Sequence, residues 1–374
     1  MKVFKNPTEI SFAESFQDFL QAETFHADDC ILASESIYDR FLKEADLPCS
    51  YISFRKYGKG EPDTDRIDAI RRDLPKGIRR MFAIGGGAVM DTAKLLSLQT
   101  SAGTTEALFD LRPEAEKPVK MFDIIALPTT CGTGSEVTCA AAAELVSLRT
   151  KRGLSNDLMY PVRACLIPEL LMGLPYRFFA TSSIDALIHA VESYLSPKAT
   201  AISELYSEKA LRMIVTGYQH VAEHGPESWK ELAGEFMTAA TMAGLAFNAA
   251  GCAAVHALSY PLGGSYHIPH GEANQLMLSP VFRKYKEKQP VGKLNRLEEI
   301  LGEILGTAPA NALEAAFALF DEVQPRKPLR EYGIQESELR AFAEGVMVGQ
   351  QRLLGNSYVA LTVDEMTEIY RSVW

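Results

Sequence analysis

Four side chains suited to holding a metal ion fall in two short segments of this chain. Asp185 and His189 stand four apart in SSIDALIHAVESY (182–194), an apolar stretch without helix breakers. A helix there stacks both side chains on one face. His256 lies in Ala- and Leu-rich surroundings that also read as helix, and His270 follows a Gly/Pro turn able to fold back toward it. Three imidazoles and one carboxylate suit Zn²⁺ or Fe²⁺ better than Mg²⁺ or Ca²⁺, which take all-oxygen sites. An Asp/His pair at helical spacing is common by chance, so the cluster matters more than the pair. The chain has seven histidines, and His189, His256, His267 and His270 all belong to this central region. An unpaired carboxylate among Ile184, Leu187, Ile188 and Val191 would be costly to bury, and coordination removes that cost.

A second chemistry is carried by two small-residue loops. The apolar run Arg80–Ile84 leads directly into Gly85, Gly86 and Gly87, and a helix is expected from Ala88. Glycines let a ligand approach the backbone, and the helix N-terminus offers free N–H groups, so the turn can hold a pyrophosphate; a plain tight turn fits equally well. Asp91, in the first turn of that helix, reads as a helix-dipole partner or a cofactor contact. The other loop, PTTCGTGSE (128–136), follows another strand and reads either as a capped helix start or as donors to phosphate and nicotinamide amide. Two such loops after two strands of one sheet fit a dinucleotide lying across its edge.

The elements that must position these residues change character along the chain. Candidate strands at 30–33, 51–54, 80–84, 124–127 and 164–167 alternate with helical patterns such as 65–72 and 88–99. That alternation predicts an α/β unit with a mostly parallel sheet over 1–175. From 176 to 374 the pattern is all-helical, including 202–223, 229–247 and 336–354, and a capping box at Thr362 and Glu365 starts a last helix.

With 374 residues, 47% hydrophobic and 23% charged, the composition is that of an ordinary globular protein. A net charge of −10 argues against nucleic-acid or anionic-membrane partners, which reward basic patches. No apolar run reaches spanning length and the N-terminus lacks an apolar leader, so no membrane association and a cytoplasmic location are expected. The six cysteines form no CxxC and fit a reducing compartment. Cys131 lies inside the second loop, where oxidation of its thiol is expected to inhibit, which alkylation with and without cofactor tests.

Together these motifs resemble the iron-containing (group III) alcohol dehydrogenase family, whose fold is shared with dehydroquinate synthase. The resemblance rests on GGGAVMDTAK (85–94), PTTCGTGSEVT (128–138), SSIDALIHAVESY (182–194) and HALSYPLGGSYHIPHGEAN (256–274). Within the family, KYGKGEP (56–62) and the QQRLLGNSYVALTVDE ending match a branch whose alcohol bears a carboxylate. The resemblance implies a dinucleotide-binding N-terminal domain, an all-α metal-binding C-terminal domain, and interconversion of a short primary alcohol and its aldehyde. It implies Asp185, His189, His256 and His270 as ligands of one divalent cation, with Fe²⁺ favoured and Zn²⁺ also fitting. Gly85, Gly86, Gly87 and Asp91 would meet NAD at the pyrophosphate turn; Thr129, Thr130, Thr133 and Ser135 would line its path, and Lys151 would approach the ribose. A homodimer or higher homo-oligomer is implied as well.

Two positions depart from the family pattern. Tyr260 stands where many members carry a further histidine, which leaves His267, Tyr260 or water to relay the alcohol's proton. Ser34 and Glu35 stand where many NAD-using members have an aspartate for the ribose. His267 is also a candidate for the substrate carboxylate. A dehydroquinate-synthase-like cyclase would need a densely basic site, and 182–274 offers only Lys198, Lys209, Arg212 and Lys230. A zinc-dependent polyol dehydrogenase is a nearer relative of the same motifs, and a catalytically silent nucleotide-binding protein would keep the fold without turnover.

Overall fold

Two compact units make up the computed structural model, which describes residues 2–58, 60–148 and 150–374. One is Asn6–Leu174; the other is Pro175–Trp374 together with the N-terminal segment ending at Lys5. Lys2 Nζ donates to Ala199 O at 2.8 Å and the Phe4 ring stacks on Tyr206, which ties that segment to the helices.

The first unit holds a six-stranded, all-parallel sheet. Its spatial order is Glu9–Phe12, Arg163–Leu166, Asp123–Pro128, Arg80–Gly85, Asp29–Ala33, Ser50–Ser53. Alternate residues of the central strands Asp29–Ala33, Arg80–Gly85 and Asp123–Pro128 feed two different cores. Cys30, Leu32, Met81, Ala83 and Ile124 pack on one side, and Ile31, Ala33, Phe82, Ile84, Ile125 and Leu127 on the other. Burial on both faces explains why these strands read as near-continuous apolar runs. The chain leaves Asp29–Ala33 toward one edge of the sheet and Arg80–Gly85 toward the other. These two strands therefore flank a topological switch point, where sheets of this kind bind ligands.

Three local features differ from expectation. The edge strand Glu9–Phe12 had no apolar signature, because one residue in two faces solvent and Phe12 is 68% exposed. The antiparallel hairpin Ala140–Leu145/Thr150–Ser155 is built from alanines and charged residues with weak strand character. The helix expected over 88–99 spans Gly87–Leu96 and then yields to Leu98–Gln99, a short strand paired with Val119–Lys120.

No strand follows Leu166 among the described residues. The central helix, Tyr176–Leu195, is buried nearly all round from Phe179 onward, so it turns no polar face to solvent. The region 229–247 begins as a 3₁₀ turn, Pro226–Leu232, before the helix Ala233–Ala250, and 336–354 breaks at Gln350 into Leu339–Gly349 and Gln351–Leu354. The capping box at Thr362 is present: Thr362 Oγ1 accepts from Glu365 N and Glu365 Oε2 accepts from Thr362 N. Among the described residues no single helix is long and apolar enough to cross a membrane.

Candidate metal centre and nucleotide loops

Asp185, His189 and Glu192 occupy positions i, i+4 and i+7 of the Tyr176–Leu195 helix, hence one face. Asp185 Oδ1 lies 3.9 Å from His189 Nε2, 3.6 Å from His256 Nε2 and 3.6 Å from His270 Nε2. Asp185, His189 and His256 are buried, whereas the His270 side chain is 32% exposed and forms the open side of the cluster. The structure thus brings all four expected side chains around one carboxylate oxygen.

Their surroundings orient them. Glu192 Oε2 accepts from His256 Nδ1 at 2.7 Å and from Ala253 N at 2.8 Å, and Glu192 Oε1 accepts from Val255 N at 2.6 Å. With Nδ1 engaged, the lone pair of His256 is left on Nε2, facing Asp185. Asn274 Nδ2 donates to Asp185 Oδ1 at 2.8 Å and lies 3.2 Å from His270 Nε2. The His189 ring stacks between Phe247 (4.2 Å) and His256 (4.8 Å).

Burial alone would raise the Asp185 pKa, but the flanking His189, His270 and His256 hold it well below the ordinary carboxylate range. Burial would lower His256, yet Cys252, Asp185 and Glu192 push it well above its usual value, and Asp185 likewise raises His189. Asp185 is thus a buried anion whose charge is balanced by the imidazoles around it, a role that a bound cation can take over. His256 Nε2 is buried and has no hydrogen-bond partner, an arrangement that native interiors rarely leave uncompensated. A divalent cation meets both needs, and the donor set of one carboxylate and imidazoles suits Fe²⁺ or Zn²⁺.

Close helix packing delivers His270. It is the first residue of the His270–Lys288 helix, with Pro269 at the N-cap. A Cβ at Gly271 would lie 1.9 Å from Thr181 O, so only glycine allows this helix to rest on the one bearing Asp185. The preceding helix, Ala254–Tyr266, ends where His267 N donates to Gly263 O and Ile268 N to Leu262 O. His267 takes φ +54°, alone among the described non-glycine residues in having a positive φ, and its side chain is exposed. Tyr260 is half-buried, with its ring centroid 6.4 Å from that of His270. The two relay candidates therefore differ: Tyr260 stands beside the cluster and His267 caps a helix at the surface. Tyr370 Oη braces the same helix by donating to Leu258 O at 2.6 Å.

In the sheet unit the two loops form one surface. Gly85 pairs with Pro128 across neighbouring strands, and Thr129 N donates to Gly85 O at 3.1 Å. A Cβ at Gly85 would lie 2.5 Å from Val89, at Gly86 3.0 Å from Thr130 and at Gly87 2.7 Å from Thr133. None of the three has a positive φ; closeness of the helix and second loop is what requires glycine. Gly134 does use the left-handed region, at φ +57°, to turn the second loop. Thr129, Thr130 and Thr133 are half-buried at this surface, whereas Ser135 and Cys131 are buried. Burial of Cys131 limits the access of an oxidant or alkylating agent to its thiol.

Asp91 is corrected too: the first turn of the Gly87–Leu96 helix contains no acid, and Asp91 sits one turn further in. Its carboxylate accepts from Ser135 Oγ at 2.9 Å and Ala142 N at 3.0 Å. Lys94, fully buried, donates to Ser135 Oγ (2.8 Å), Thr138 Oγ1 (2.9 Å) and Ala140 O (2.8 Å). Burial pushes the Lys94 pKa down to about 8 against the pull of Asp91, and burial raises that of Asp91. Asp91 and Ser135 therefore join Lys94 in an internal network that fixes the second loop.

Lys151 forms an ion pair with Glu61. Lys59, in the same KYGKGEP stretch, lies outside the described residues. Ser34 caps a short helix by accepting from Ile37 N, and Glu35 Oε1 accepts from Ser53 Oγ at 2.9 Å, just beyond the strands that they follow. Of the basic residues in 182–274, Lys198 and Lys209 are exposed, while Arg212 pairs with Glu208 and Glu303 and Lys230 with Glu227. Glu192, Asn274 and Lys94 were missed by sequence reasoning. Their signals were helical spacings: seven after Asp185, four after His270 and three after Asp91.

Residues 179–374 match the C-terminal domain of the Fe-containing alcohol dehydrogenase family, and residues 13–168 match the iron-containing alcohol dehydrogenase domain. The chain is 40% identical to a 4-hydroxybutyrate dehydrogenase of Clostridium kluyveri, covering 100% of both chains. It is 32% identical to long-chain-alcohol dehydrogenase 1 of Geobacillus thermodenitrificans, over 79% of this chain and 74% of that one. Among solved structures, a sulfoacetaldehyde reductase of Bifidobacterium kashiwanohense in complex with NAD⁺ superposes with a TM-score of 0.84 at 25% identity, covering 100% of this chain and 98% of the other. Matched in both halves and along its full length, this chain belongs to the iron-containing alcohol dehydrogenase family.

Proposed function

We propose that the chain is a NAD-dependent dehydrogenase interconverting 4-hydroxybutyrate and succinate semialdehyde, with one divalent cation, Fe²⁺ in preference to Zn²⁺, held by Asp185, His189, His256 and His270. The observation that carries this reading is the convergence of three imidazoles on one buried carboxylate oxygen, in a chain similar throughout to a 4-hydroxybutyrate dehydrogenase. When bound, the cation supplies Lewis acidity toward the substrate oxygen and the nicotinamide supplies hydride acceptance and return.

The protein's own residues do the placing. Glu192 fixes the His256 tautomer and Asn274 holds Asp185 Oδ1. Gly85, Gly86, Gly87 and the helix that they start take the pyrophosphate, with Thr129, Thr130 and Thr133 along the nucleotide and Asp91, Lys94 and Ser135 behind them. Glu35, past the strand ends, accepts from a ribose 2′-hydroxyl and repels a 2′-phosphate, which favours NAD over NADP. We assign Tyr260 Oη, beside His270, to pass the alcohol's proton outward, and His267 to meet the substrate carboxylate. Six cysteines with no disulfide among them support a reducing, cytoplasmic setting, and we read the enzyme as a homo-oligomer.

The test is reduction of NAD, followed by absorbance, with Fe²⁺ or Zn²⁺ and a panel of 4-hydroxybutyrate, butanol, 1,3-propanediol and glycerol. We expect the lowest KM for 4-hydroxybutyrate. Equal kcat/KM across the panel removes carboxylate recognition, and no turnover with any alcohol favours a silent nucleotide-binding protein. His267→Ala should raise KM for 4-hydroxybutyrate more than for butanol; equal changes remove its role.

A further inference from the structure

Behind the Asp185 cluster, on the side of His189 and His256, lies the thiol of Cys252. Ligand atoms of His189, Cys252 and His256 lie within 4.8 Å of one another, as do those of Asp185, His256 and His270. We propose that His189, Cys252 and His256 form a second, sulfur-containing set that captures a thiophilic divalent ion such as Zn²⁺ or Cd²⁺ in place of the ion held by Asp185, His189, His256 and His270.

The two sets share His189 and His256, and the hydrogen bonding of His256 makes them exclusive. Glu192 occupies Nδ1, so His256 offers a single lone pair, on Nε2, and serves one ion at a time. That Nε2 and His189 Nδ1 are both buried and make no well-aligned hydrogen bond, and Cys252 is a polar neighbour of both imidazoles. Ion softness decides between the sets. Thiolate favours Zn²⁺ and Cd²⁺, whereas the carboxylate set retains the harder Fe²⁺. Capture forms a sulfur–metal bond and releases the thiol proton to solvent, with no change of oxidation state.

The sulfur is presented by a braced turn. Ser196 Oγ donates to Ala250 O at 2.7 Å, Asn356 Nδ2 donates to Cys252 O at 2.8 Å, and Ala253 N and Val255 N donate to Glu192. Gly251 adopts φ +81°, and a Cβ there would lie 2.3 Å from Asn356 Nδ2, so the turn admits no side chain at that point. The backbone is held on both sides of Cys252, which limits the freedom lost on coordination.

The inference rests on the assignment of the Asp185 cluster as the catalytic cation site, yet it can fail separately. Metal-free full-length protein is titrated with Cd²⁺ while the sulfur-to-cadmium charge-transfer band in the ultraviolet is recorded. We expect a band saturating at equimolar ion, lost in Cys252→Ser and Cys252→Ala, and retained in His270→Ala. In the unaltered protein, Cd²⁺ should also shield Cys252 from iodoacetamide, read by peptide mass, which covers the case of a variant that misfolds. No band in the unaltered protein, or an equal band without Cys252, overturns the proposal. A band lost in His270→Ala also overturns it, because the sulfur would then belong to the Asp185 set. Turnover of the Fe²⁺-loaded protein is measured independently and decides the catalytic assignment alone.

Discussion

Glu192 illustrates how a residue without a chemical step governs those that have one. It determines which nitrogen of His256 is free, and the same carboxylate accepts from two backbone N–H groups of the turn that carries Cys252. Glu192→Gln keeps the shape but weakens both functions. Partners of this kind are worth about 10- to 100-fold in metal affinity, so chelator competition should show a loss of that order; an unchanged affinity would sink the argument. Glu192 was legible in principle, since 185, 189 and 192 share a helix face. Cys252 was not. It stands four before His256, but the helix starts only at Ala254, so no periodicity connects the thiol to the imidazole.

Among elements, the contact between the Asp185 helix and the His270 helix is the tightest constraint on the cluster. In Gly271→Ala the new methyl meets the Thr181 carbonyl at 1.9 Å, a backbone atom that cannot step aside. The helices must separate, with a loss of about 1–3 kcal/mol as in other overpacked cores. Thermal unfolding and cation affinity should both fall; a variant with an unchanged melting temperature would show that the helices accommodate the methyl. In the sheet, Arg80 at the start of a central strand donates to both oxygens of Asp29, at 2.8 and 2.6 Å, and to Glu23 at 2.9 Å. Burial would raise Asp29, but Arg80 holds its pKa below the usual value. A depressed carboxylate stabilises above its unfolded pKa, about 4, and loses that contribution as pH falls through the folded value. Asp29→Asn should therefore lose about 1.5–3 kcal/mol near neutral pH, as for hydrogen bonds to charged groups. The gap from the unaltered protein should close below about pH 4; a gap independent of pH in chemical denaturation contradicts this. Five of the six parallel strands were legible as short apolar or β-branched runs, the central ones because they are buried on both faces. The edge strand Glu9–Phe12 was not, because half of it faces solvent.

At the scale of the molecule, the α/β half followed by a helical half was legible from the end of strand–helix alternation near Pro175. The placement of the N-terminal residues was not, since Lys2 and Phe4 reach partners at Ala199 and Tyr206 by contacts that leave no local pattern. The two units carry different candidate ligand surfaces, so each ligand should stabilise its own unit. An ion at about 1,000 times its Kd contributes about 4 kcal/mol. Chelation should accelerate amide exchange in the helices Tyr176–Leu195 and His270–Lys288 while leaving the sheet strands unchanged, and NAD should protect Arg80–Gly85 and the loop after Asp123–Pro128. Uniform changes across the chain would contradict this.

The backbone around His256 is held from far along the chain, by Asn356 at a separation of 104 residues and by Tyr370 at 112. A ribosome adds about 5–20 residues per second. Every cation ligand is therefore synthesised some seconds before its last supports exist, and a nascent chain spends that interval with unbraced imidazoles and thiol. Which ion is loaded then depends on what the cell offers after those supports arrive.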